Sequence, residues 1–158
     1  MALTLVRSAA RTNGIDLMTF ADRLQDLAWY QQIPFAVDEG STLAQVLPGL
    51  PNPWFTLPVG ERAKYHALVA MAGNFSYLLW QRTLRELDSS FAVGTKEMLP
   101  YLQQVLNNFA ADPENSLTGP IARKDWATID RHLMVLSDNP PLRDLYLAFL
   151  NLAKEQLK

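Results

Sequence analysis

The sequence predicts a mainly α-helical protein that begins with a small α/β segment. Two observations predict it. Glycine and proline recur at short intervals up to Pro58, which leaves room only for short strands and helices. After this proline, apolar residues recur at helical spacing over long stretches. We therefore predict a boundary near residue 58, with an incomplete α/β segment over residues 1–57 and a helical domain over residues 58–158.

The first 57 residues predict only short elements. Apolar runs bounded by turn-forming residues predict three strands, over residues 17–20, 34–37 and 54–57. Helical patterns predict three short helices, over residues 3–12, 22–30 and 41–47, the first of them ended by Gly14. Three short strands with so little helix do not make an independent α/β domain.

One long helix is predicted from residue 61 to about residue 87. Apolar side chains cover nearly all sides of it between Tyr65 and Trp80, whereas a surface helix needs only one apolar stripe. We therefore expect this helix to be central or shared with a partner. Gly73 in its middle costs about 1 kcal/mol relative to alanine. This cost indicates that something approaches the backbone closely, and a crossing helix and a ligand both fit.

Three further helices follow along the chain. Thr95 is a suitable N-cap for a helix that runs to about Ala111. Asn139, followed by two prolines, is typical of the start of the last helix. Asp125 stands where another helix needs an N-cap. The apolar stripe of that helix is predicted at Trp126, Ile129, Leu133 and Leu136.

Composition excludes several classes of function. The chain has no cysteine, so it has neither a disulfide nor a thiolate nucleophile, which fits a reducing cytoplasm. A net charge of -2 gives no general attraction for nucleic acid or for an anionic membrane. The most apolar run, residues 67–80, is shorter than the roughly 20 residues that a bilayer requires. We expect a cytoplasmic, soluble protein without a nucleic-acid or membrane partner.

The common motifs of catalysis and nucleotide binding are missing from the sequence. No two glycines are spaced as in G-x-G-x-x-G, and there is no Walker pattern. A nucleophile elbow and an H-E-x-x-H helix are absent too, and the chain has two histidines. We expect no metal site, and no cofactor bound by this chain alone.

The loop over residues 117–125 has the composition of a binding site. Its Gly119-Pro120 pair interrupts an incoming helix, and Asp125 follows as an N-cap. Arg123 then lies beside a helix N-terminus, so a guanidinium and backbone N–H groups could converge on one anion. The simpler interpretation is that the loop only turns the chain and that Arg123 lies in solvent.

Two histidines provide the remaining candidates for acid–base chemistry. His132 shares a helical stripe with Asp125 and Thr128, and it is either a general acid or base or a histidine hydrogen-bonded to Thr128 or backbone. At α-helical spacing, His66 shares a face with Gly73 and Tyr77, which suggests a small pocket. The same pattern is explained if these polar side chains only form hydrogen bonds within a protein core.

Several short segments resemble an uncharacterised bacterial family of Rossmann-like oxidoreductases. The specific part is the Leu-Thr-Gly-Pro-Ile-Ala-Arg run of residues 117–123, followed by Arg-His-Leu at residues 131–133. Supporting segments lie at residues 17–20, 34–37, 65–67 and 74. Members of that family resemble pyrroline-5-carboxylate reductase and 6-phosphogluconate dehydrogenase, in which a dinucleotide-binding domain precedes a helical domain that dimerises and lines the substrate side.

The chain departs from the family in three places. The family's His-Pro before the Leu-Met-Thr-Phe stretch is replaced by Ile15-Asp16, and Gly73 stands where serine is common. The glycine-rich first strand and helix of the nucleotide-binding domain are absent from the sequence. NAD(P) is therefore implied by the resemblance only, and its binding residues cannot be carried over to this chain.

Two functions fit the resemblance. In the first, the chain is the substrate-side and dimerisation part of an NAD(P)-dependent oxidoreductase, inactive alone, whose nucleotide-binding half is separate. In the second, it is a noncatalytic homodimer that binds a metabolite or partner.

The family resemblance and the pockets suggested by residue spacing together imply the site residues. His66, Asn74 and His132 are the catalytic candidates, and they would act with Arg123 on an anionic or carbonyl-bearing substrate. The other substrate-side candidates are Tyr65, Thr118, Gly119 and Asp125.

Overall fold

The computed structural model describes residues 14–16, 18 and 24–156, and these residues are mainly α-helical, as the sequence predicts. The chain divides into two compact units between Val93 and Gly94. The boundary at residue 58 follows a change in sequence character and stays a prediction. The helix predicted over residues 3–12 lies outside the described residues, as does most of the strand predicted over residues 17–20.

A three-stranded sheet lies in the first unit, in the order β1 (Gly14–Asp16), β2 (Phe35–Asp38) and β3 (Trp54–Leu57). β1 runs antiparallel to β2, whereas β2 and β3 are parallel with Phe35 opposite Trp54. The predictions for β2 and β3 are confirmed. Gly14, which the sequence predicts to follow a helix end, begins β1, and the pairing of β1 with β2 is not visible in local sequence.

Two short helices flank β2, and side-chain caps determine where they begin. The Asp26 carboxylate accepts a hydrogen bond from the Trp29 N–H at 2.8 Å, so α1 (Leu27–Gln31) begins after it. The helix predicted from residue 22 is therefore too long, since residues 24–26 are not helical. Helix α2 (Leu43–Val46) begins with a capping box between Thr42 and Gln45.

The core of the first unit surrounds β2. Its buried cluster consists of Tyr30, Ile33, Phe35, Val37, Leu43 and Leu47. Asn52 is also buried, and its side-chain amide donates hydrogen bonds to the carbonyl oxygens of Tyr30 at 2.6 Å and Ile33 at 3.0 Å. These bonds tie the end of α1 to the segment before β3; the Tyr30 carbonyl also accepts a hydrogen bond from the Ile33 N–H at 3.3 Å.

A long helix follows the sheet and contains an irregular turn. It consists of α3 (Arg62–Ala70), a π-turn (Met71–Phe75) and α4 (Ser76–Phe91). The predicted single long helix is confirmed. None of its residues is buried, so it is not central among the described residues, contrary to one of the two expectations. The other expectation, that a partner shares it, stays a prediction.

The start of the long helix is attached to the sheet. The Arg62 guanidinium forms an ion pair with Asp38 at the end of β2, with 2.6 Å between Nε and Oδ1. One turn further on, the Tyr65 ring meets the Phe55 ring of β3 edge to face, with 5.8 Å between centroids. Both contacts hold the first two turns of α3 against the parallel strands.

The second unit contains four helices, α5 (Thr95–Ala111), α6 (Gly119–Ala122), α7 (Trp126–Val135) and α8 (Pro140–Gln156). The extent of α5 confirms the prediction, although its N-cap is Gly94 rather than Thr95. The Glu97 carboxylate accepts a hydrogen bond from the Gly94 N–H at 3.1 Å and so fixes the start of the helix.

The buried residues of the second unit lie on α7 and α8. Ile129, Leu150 and Ala153 are buried there. The predicted α7 stripe is only partly covered, because Trp126 remains 45% exposed. The Lys154 ammonium lies 5.6 Å from the centre of its ring, a cation–π contact between the start of α7 and the end of α8.

Candidate functional site

The candidate residues on the long helix lie in the first unit. His66 and Asn74 are exposed, whereas Tyr65 is partly buried beside Phe55. Asn74 belongs to the π-turn. A π-turn inserts an extra residue into the helical repeat, so the α-helical spacing that put His66 on one face with Gly73 and Tyr77 is not maintained through it. His66 therefore does not share the predicted face with Gly73 and Tyr77, and Asn74 lies where the helix is irregular.

The close approach expected at Gly73 is not made within the described chain. A Cβ atom built on this residue meets no other atom within 4 Å. The crossing helix that the sequence suggests is thus not supplied by the described residues. The ligand that the sequence also allows would have to come from outside the described residues, and π-turns are frequent at functional sites.

The loop predicted as an anion site lies in the second unit. Thr118 and Arg123 are exposed, and Gly119 adopts a positive φ of 82° as α6 begins. The Asp125 carboxylate caps α7 by accepting a hydrogen bond from the Thr128 N–H at 3.1 Å. The predicted N-cap is confirmed. This N–H is therefore bound to a carboxylate of the protein itself.

The electrostatics of the loop follow from this cap. Hydrogen bonds from the hydroxyl and the backbone N–H of Thr128 lower the pKa of Asp125, and the guanidinium groups of Arg131 and Arg123 lower it further. The ionised carboxylate lies at the positive end of the α7 dipole. An incoming anion would compete with it, so any anion bound at this loop would depend on the exposed Arg123 guanidinium rather than on the helix end.

His132 has a partner that sequence reasoning missed. Its Nδ1 atom lies 3.0 Å from the Tyr146 hydroxyl, and the two rings meet edge to face at 88°. Burial raises the pKa of Tyr146, so its phenol keeps its proton at neutral pH and can donate it to Nδ1. In the tautomer in which Nδ1 accepts this bond, the ring N–H is on Nε2 and points elsewhere.

Tyr146 could not be found from the sequence, because it lies on another helix, 14 residues from His132. The histidine is hydrogen-bonded, as one interpretation expected, but to a tyrosine rather than to Thr128 or backbone. Thr128 instead accepts a hydrogen bond from the Arg131 guanidinium at 2.7 Å.

An open groove of about 630 Å³ lies along α7 and the start of α8. It is lined by Asp130, Leu133, Met134, Ser137, Pro140, Arg143 and Asp144. Helical spacing of about 100° per residue puts Asp130 and Met134 about 160° from His132 around the α7 axis, and Leu133 about 100° from it. None of the predicted site residues lines this groove.

The described residues offer no group of three or more metal-binding side chains. None of their helices has the length and apolar character needed to cross a bilayer.

The ends of the parallel strands do not fit a dinucleotide. The rule for open α/β sheets locates such ligands beyond the carboxyl ends of the strands, with the pyrophosphate at a helix N-terminus. Here β2 ends at Asp38, which pairs with Arg62, and α3 begins after Glu61. The Asp38–Arg62 ion pair thus occupies this end of the sheet, and Glu61 adds a carboxylate where a phosphate needs positive potential. Among the described residues, this arrangement does not fit NAD(P).

The sequence model of the family described as "Domain of unknown function (DUF2520)" matches residues 36–152. The chain belongs to this family. No functionally curated protein matches the chain.

Two solved structures share the fold. A Bacteroides fragilis protein described as a "putative NADP oxidoreductase" is 24% identical with a TM-score of 0.70, over 90% of this chain and 57% of that one. A Thermotoga maritima protein is 21% identical with a TM-score of 0.68, over 90% of this chain and 60% of that one. This chain therefore spans less than two thirds of either protein. Together with the family match, these folds confirm the resemblance that the sequence predicts.

Proposed function

We propose that this chain is the substrate-side and dimerisation part of an NAD(P)-dependent oxidoreductase and that it has no dehydrogenase activity alone. The likeness of its fold to part of the Bacteroides fragilis protein carries this proposal. Its helical domain would correspond to the dimerising C-terminal domain of 6-phosphogluconate dehydrogenase, in a bacterial cytoplasmic enzyme. The nucleotide-binding half would come from residues other than those of this chain.

The dimerisation role is supported by uncovered apolar surface. Between Pro58 and Thr128 no residue is buried. Large apolar side chains are exposed along the long helix and, separately, along α5. Monomeric soluble proteins rarely expose apolar patches of more than a few hundred Å². A homodimer would cover such surface.

If the chain forms the substrate side, the candidate residues of each unit have separate roles in binding and chemistry. Arg123 has an exposed guanidinium that can bind a carboxylate or phosphate through two hydrogen bonds. His132, with Nδ1 engaged by Tyr146, can donate from Nε2 to the oxygen of a carbonyl substrate. His66 and Asn74 offer further polar groups from the long helix, and the adjoining surface comes from Tyr65, Thr118, Gly119 and Asp125.

A second candidate is a noncatalytic homodimer that binds a small anionic metabolite or another protein. The exposed apolar side chains and the exposed Arg123 guanidinium fit this candidate as well. The two candidates differ in whether a nucleotide-binding half exists. If the oxidoreductase proposal is correct, a neighbouring reading frame or an adjoining segment encodes such a half, and the two parts together bind NADPH.

The test is a titration of the purified chain with NADPH, followed by nicotinamide fluorescence. We expect no saturable binding by the chain alone and saturable binding after the nucleotide-binding half is added. Tight binding by the chain alone would overturn the assignment of the cofactor site to other residues. Failure of any such half to bind would favour the noncatalytic candidate.

A further inference from the structure

We propose that the groove between α7 and α8 binds an α-amino acid with a large apolar side chain. The groove lies wholly within the second unit. None of its lining residues belongs to the candidate site, so this inference is independent of the proposed oxidoreductase role.

The groove opens between two helices that the short connection over residues 136–139 joins. Each helix contributes residues at i, i+3 and i+4 spacing, which share one helical face, and the connection adds Ser137. From α7 these residues are Asp130, Leu133 and Met134, and from the start of α8 they are Pro140, Arg143 and Asp144. The volume of about 630 Å³ falls in the range of about 300–1,000 Å³ that is typical of small-molecule sites.

The groove has an apolar part and a charged part. Met134 and Pro140 lie beside the connection, and Leu133 adjoins them on α7. Asp130 precedes Met134 by four residues and Asp144 follows Pro140 by four residues, so each carboxylate lies about 6 Å further from the connection along its helix. A ligand that matches this pattern has an apolar body towards the connection and a charged end away from it.

The charged residues of the groove do not neutralise one another. Among the described residues, the side chains of Asp130, Arg143 and Asp144 form no hydrogen bond and no ion pair. Arg143 is partly buried, where a guanidinium without a partner is unfavourable. Two carboxylates and one guanidinium therefore remain available to a ligand.

This set of charges favours a zwitterion. An ammonium group can donate hydrogen bonds to the carboxylates of Asp130 and Asp144, and a carboxylate can accept two hydrogen bonds from the Arg143 guanidinium. An amine without a carboxylate would bring a like charge to Arg143, and an acid without an ammonium group would face two carboxylates. An α-amino acid carries both groups on one carbon atom, so it satisfies all three side chains.

The apolar part of the groove favours a large side chain on that amino acid. Met134 is 72% exposed, and burial of its side chain and that of Leu133 against an apolar ligand is favourable. Methionine also packs well against aromatic rings. L-Phenylalanine therefore combines the charged end and the apolar body that the groove selects.

A ligand in the groove would leave the candidate site on the same helix accessible. Asp130 and Met134 lie about 160° from His132 around the α7 axis. The amino acid would therefore occupy different space from a substrate that contacts the His132 ring.

A titration of the full chain with L-phenylalanine, followed through assigned amide resonances in NMR spectra, tests the site. Three matched compounds each lack one group: phenethylamine lacks the carboxylate, hydrocinnamate lacks the ammonium group, and glycine lacks the apolar side chain. We expect saturable shifts at Leu133, Met134 and Ser137 with a Kd of about 1 mM for L-phenylalanine. Each of the three compounds should bind about tenfold more weakly or worse.

Variants of the charged residues test how the ligand is held. Asp130→Asn and Arg143→Gln should each weaken L-phenylalanine binding about tenfold, because each removes a charge that pairs with the ligand. The matched controls are Asp138→Asn and Arg131→Gln, which change exposed charges outside the groove. The controls should leave the Kd within about twofold of the wild-type value. Circular dichroism checks the fold of each variant.

Two kinds of result would overturn the proposal. Equal binding of L-phenylalanine and phenethylamine, or an unchanged Kd for Arg143→Gln, would exclude an α-amino acid as the ligand. The absence of saturable shifts at the groove up to about 10 mM L-phenylalanine, tenfold above the expected Kd, would exclude the site itself. The NADPH titration tests the oxidoreductase role separately, so either proposal can fail without the other.

Discussion

The segment around β2 and the segment from Pro58 to Thr128 differ in how they cover their apolar side chains. Around β2, the short strands and helices enclose Ile33, Phe35 and Val37 almost completely. In the longer segment, regular helices form along most of the chain, yet no residue is buried. The first segment thus encloses its own core, whereas the second leaves its large apolar side chains partly or fully exposed among the described residues.

The physical reason lies in the two kinds of element. A strand such as β2 can bury both of its faces between neighbouring strands and helices, and a continuous apolar run suits that position. A helix satisfies its own backbone hydrogen bonds, so it can form before its apolar sides are covered. Exposed apolar side chains on a helix are therefore compatible with a well-formed element.

The largest expected effect comes from a matched pair of phenylalanine truncations in the first unit. Phe35→Ala should lower the free energy of unfolding by about 3–5 kcal/mol, because the ring is 1% exposed and its loss leaves a cavity. Phe75→Ala should cost less than about 1 kcal/mol in dilute monomer, since that ring is largely exposed. Urea denaturation followed by circular dichroism measures both values. Equal losses would contradict the contrast between a closed core and an open surface.

Asn52 tests whether polar contacts help to close the core around β2. Asn52→Ala removes two hydrogen bonds to buried carbonyl groups, and we expect a loss of about 1–3 kcal/mol in the free energy of unfolding. The exposed Asn151 provides the control, where alanine should change the value by less than about 0.5 kcal/mol. If both variants behave alike in urea denaturation, the Asn52 bonds do not hold α1 in place.

A smaller effect is expected at the contact between α7 and α8. Tyr146→Phe removes the hydrogen bond to His132 and should cost about 0.5–1.5 kcal/mol in the second unit. The nitrogen resonances of the His132 ring should shift in NMR spectra as Nδ1 loses its partner. His66, the other histidine of the chain, is the internal reference. An unchanged His132 spectrum would argue against the hydrogen bond in solution.

The smallest effect concerns pH and the cap of α7. The pKa of Asp125 is lower in the folded state, so its contribution to stability is present above the unfolded pKa of about 4 and is lost as pH falls through the folded value. Asp125→Asn keeps a capping oxygen but has no charge to titrate. The free energy of unfolding of the Asp125→Asn variant should depend less on pH below about 4 than that of the wild type. Parallel pH dependences in thermal unfolding would exclude this contribution.

Much of the local structure could be predicted because local residues determine it. Strand β3 and the end of α5 at Ala111 lie where the sequence predicts them, and the cap at Asp125 is confirmed. Errors arose where a cap decided the outcome. The carboxylate of Asp26 moves the start of α1 to Leu27, and the bond between the Gly94 N–H and Glu97 makes Gly94 rather than Thr95 the N-cap of α5.

The candidate site was less predictable than the fold. The sequence located the polar residues on their helices but did not reveal that Tyr146 binds His132, since contacts between helices depend on packing rather than on spacing. It likewise indicated that Gly73 needs a close neighbour, but not that the described chain leaves the position open.

By itself, the sequence determined the helical character of this protein, its resemblance to the oxidoreductase family and the absence of a dinucleotide motif, because these follow from residue order alone. Only the tertiary structure decided which apolar residues are covered, where the long helix contains a π-turn and which side chain engages His132. Those features depend on how distant segments pack, and packing is a property of the whole chain and of any partner that completes it.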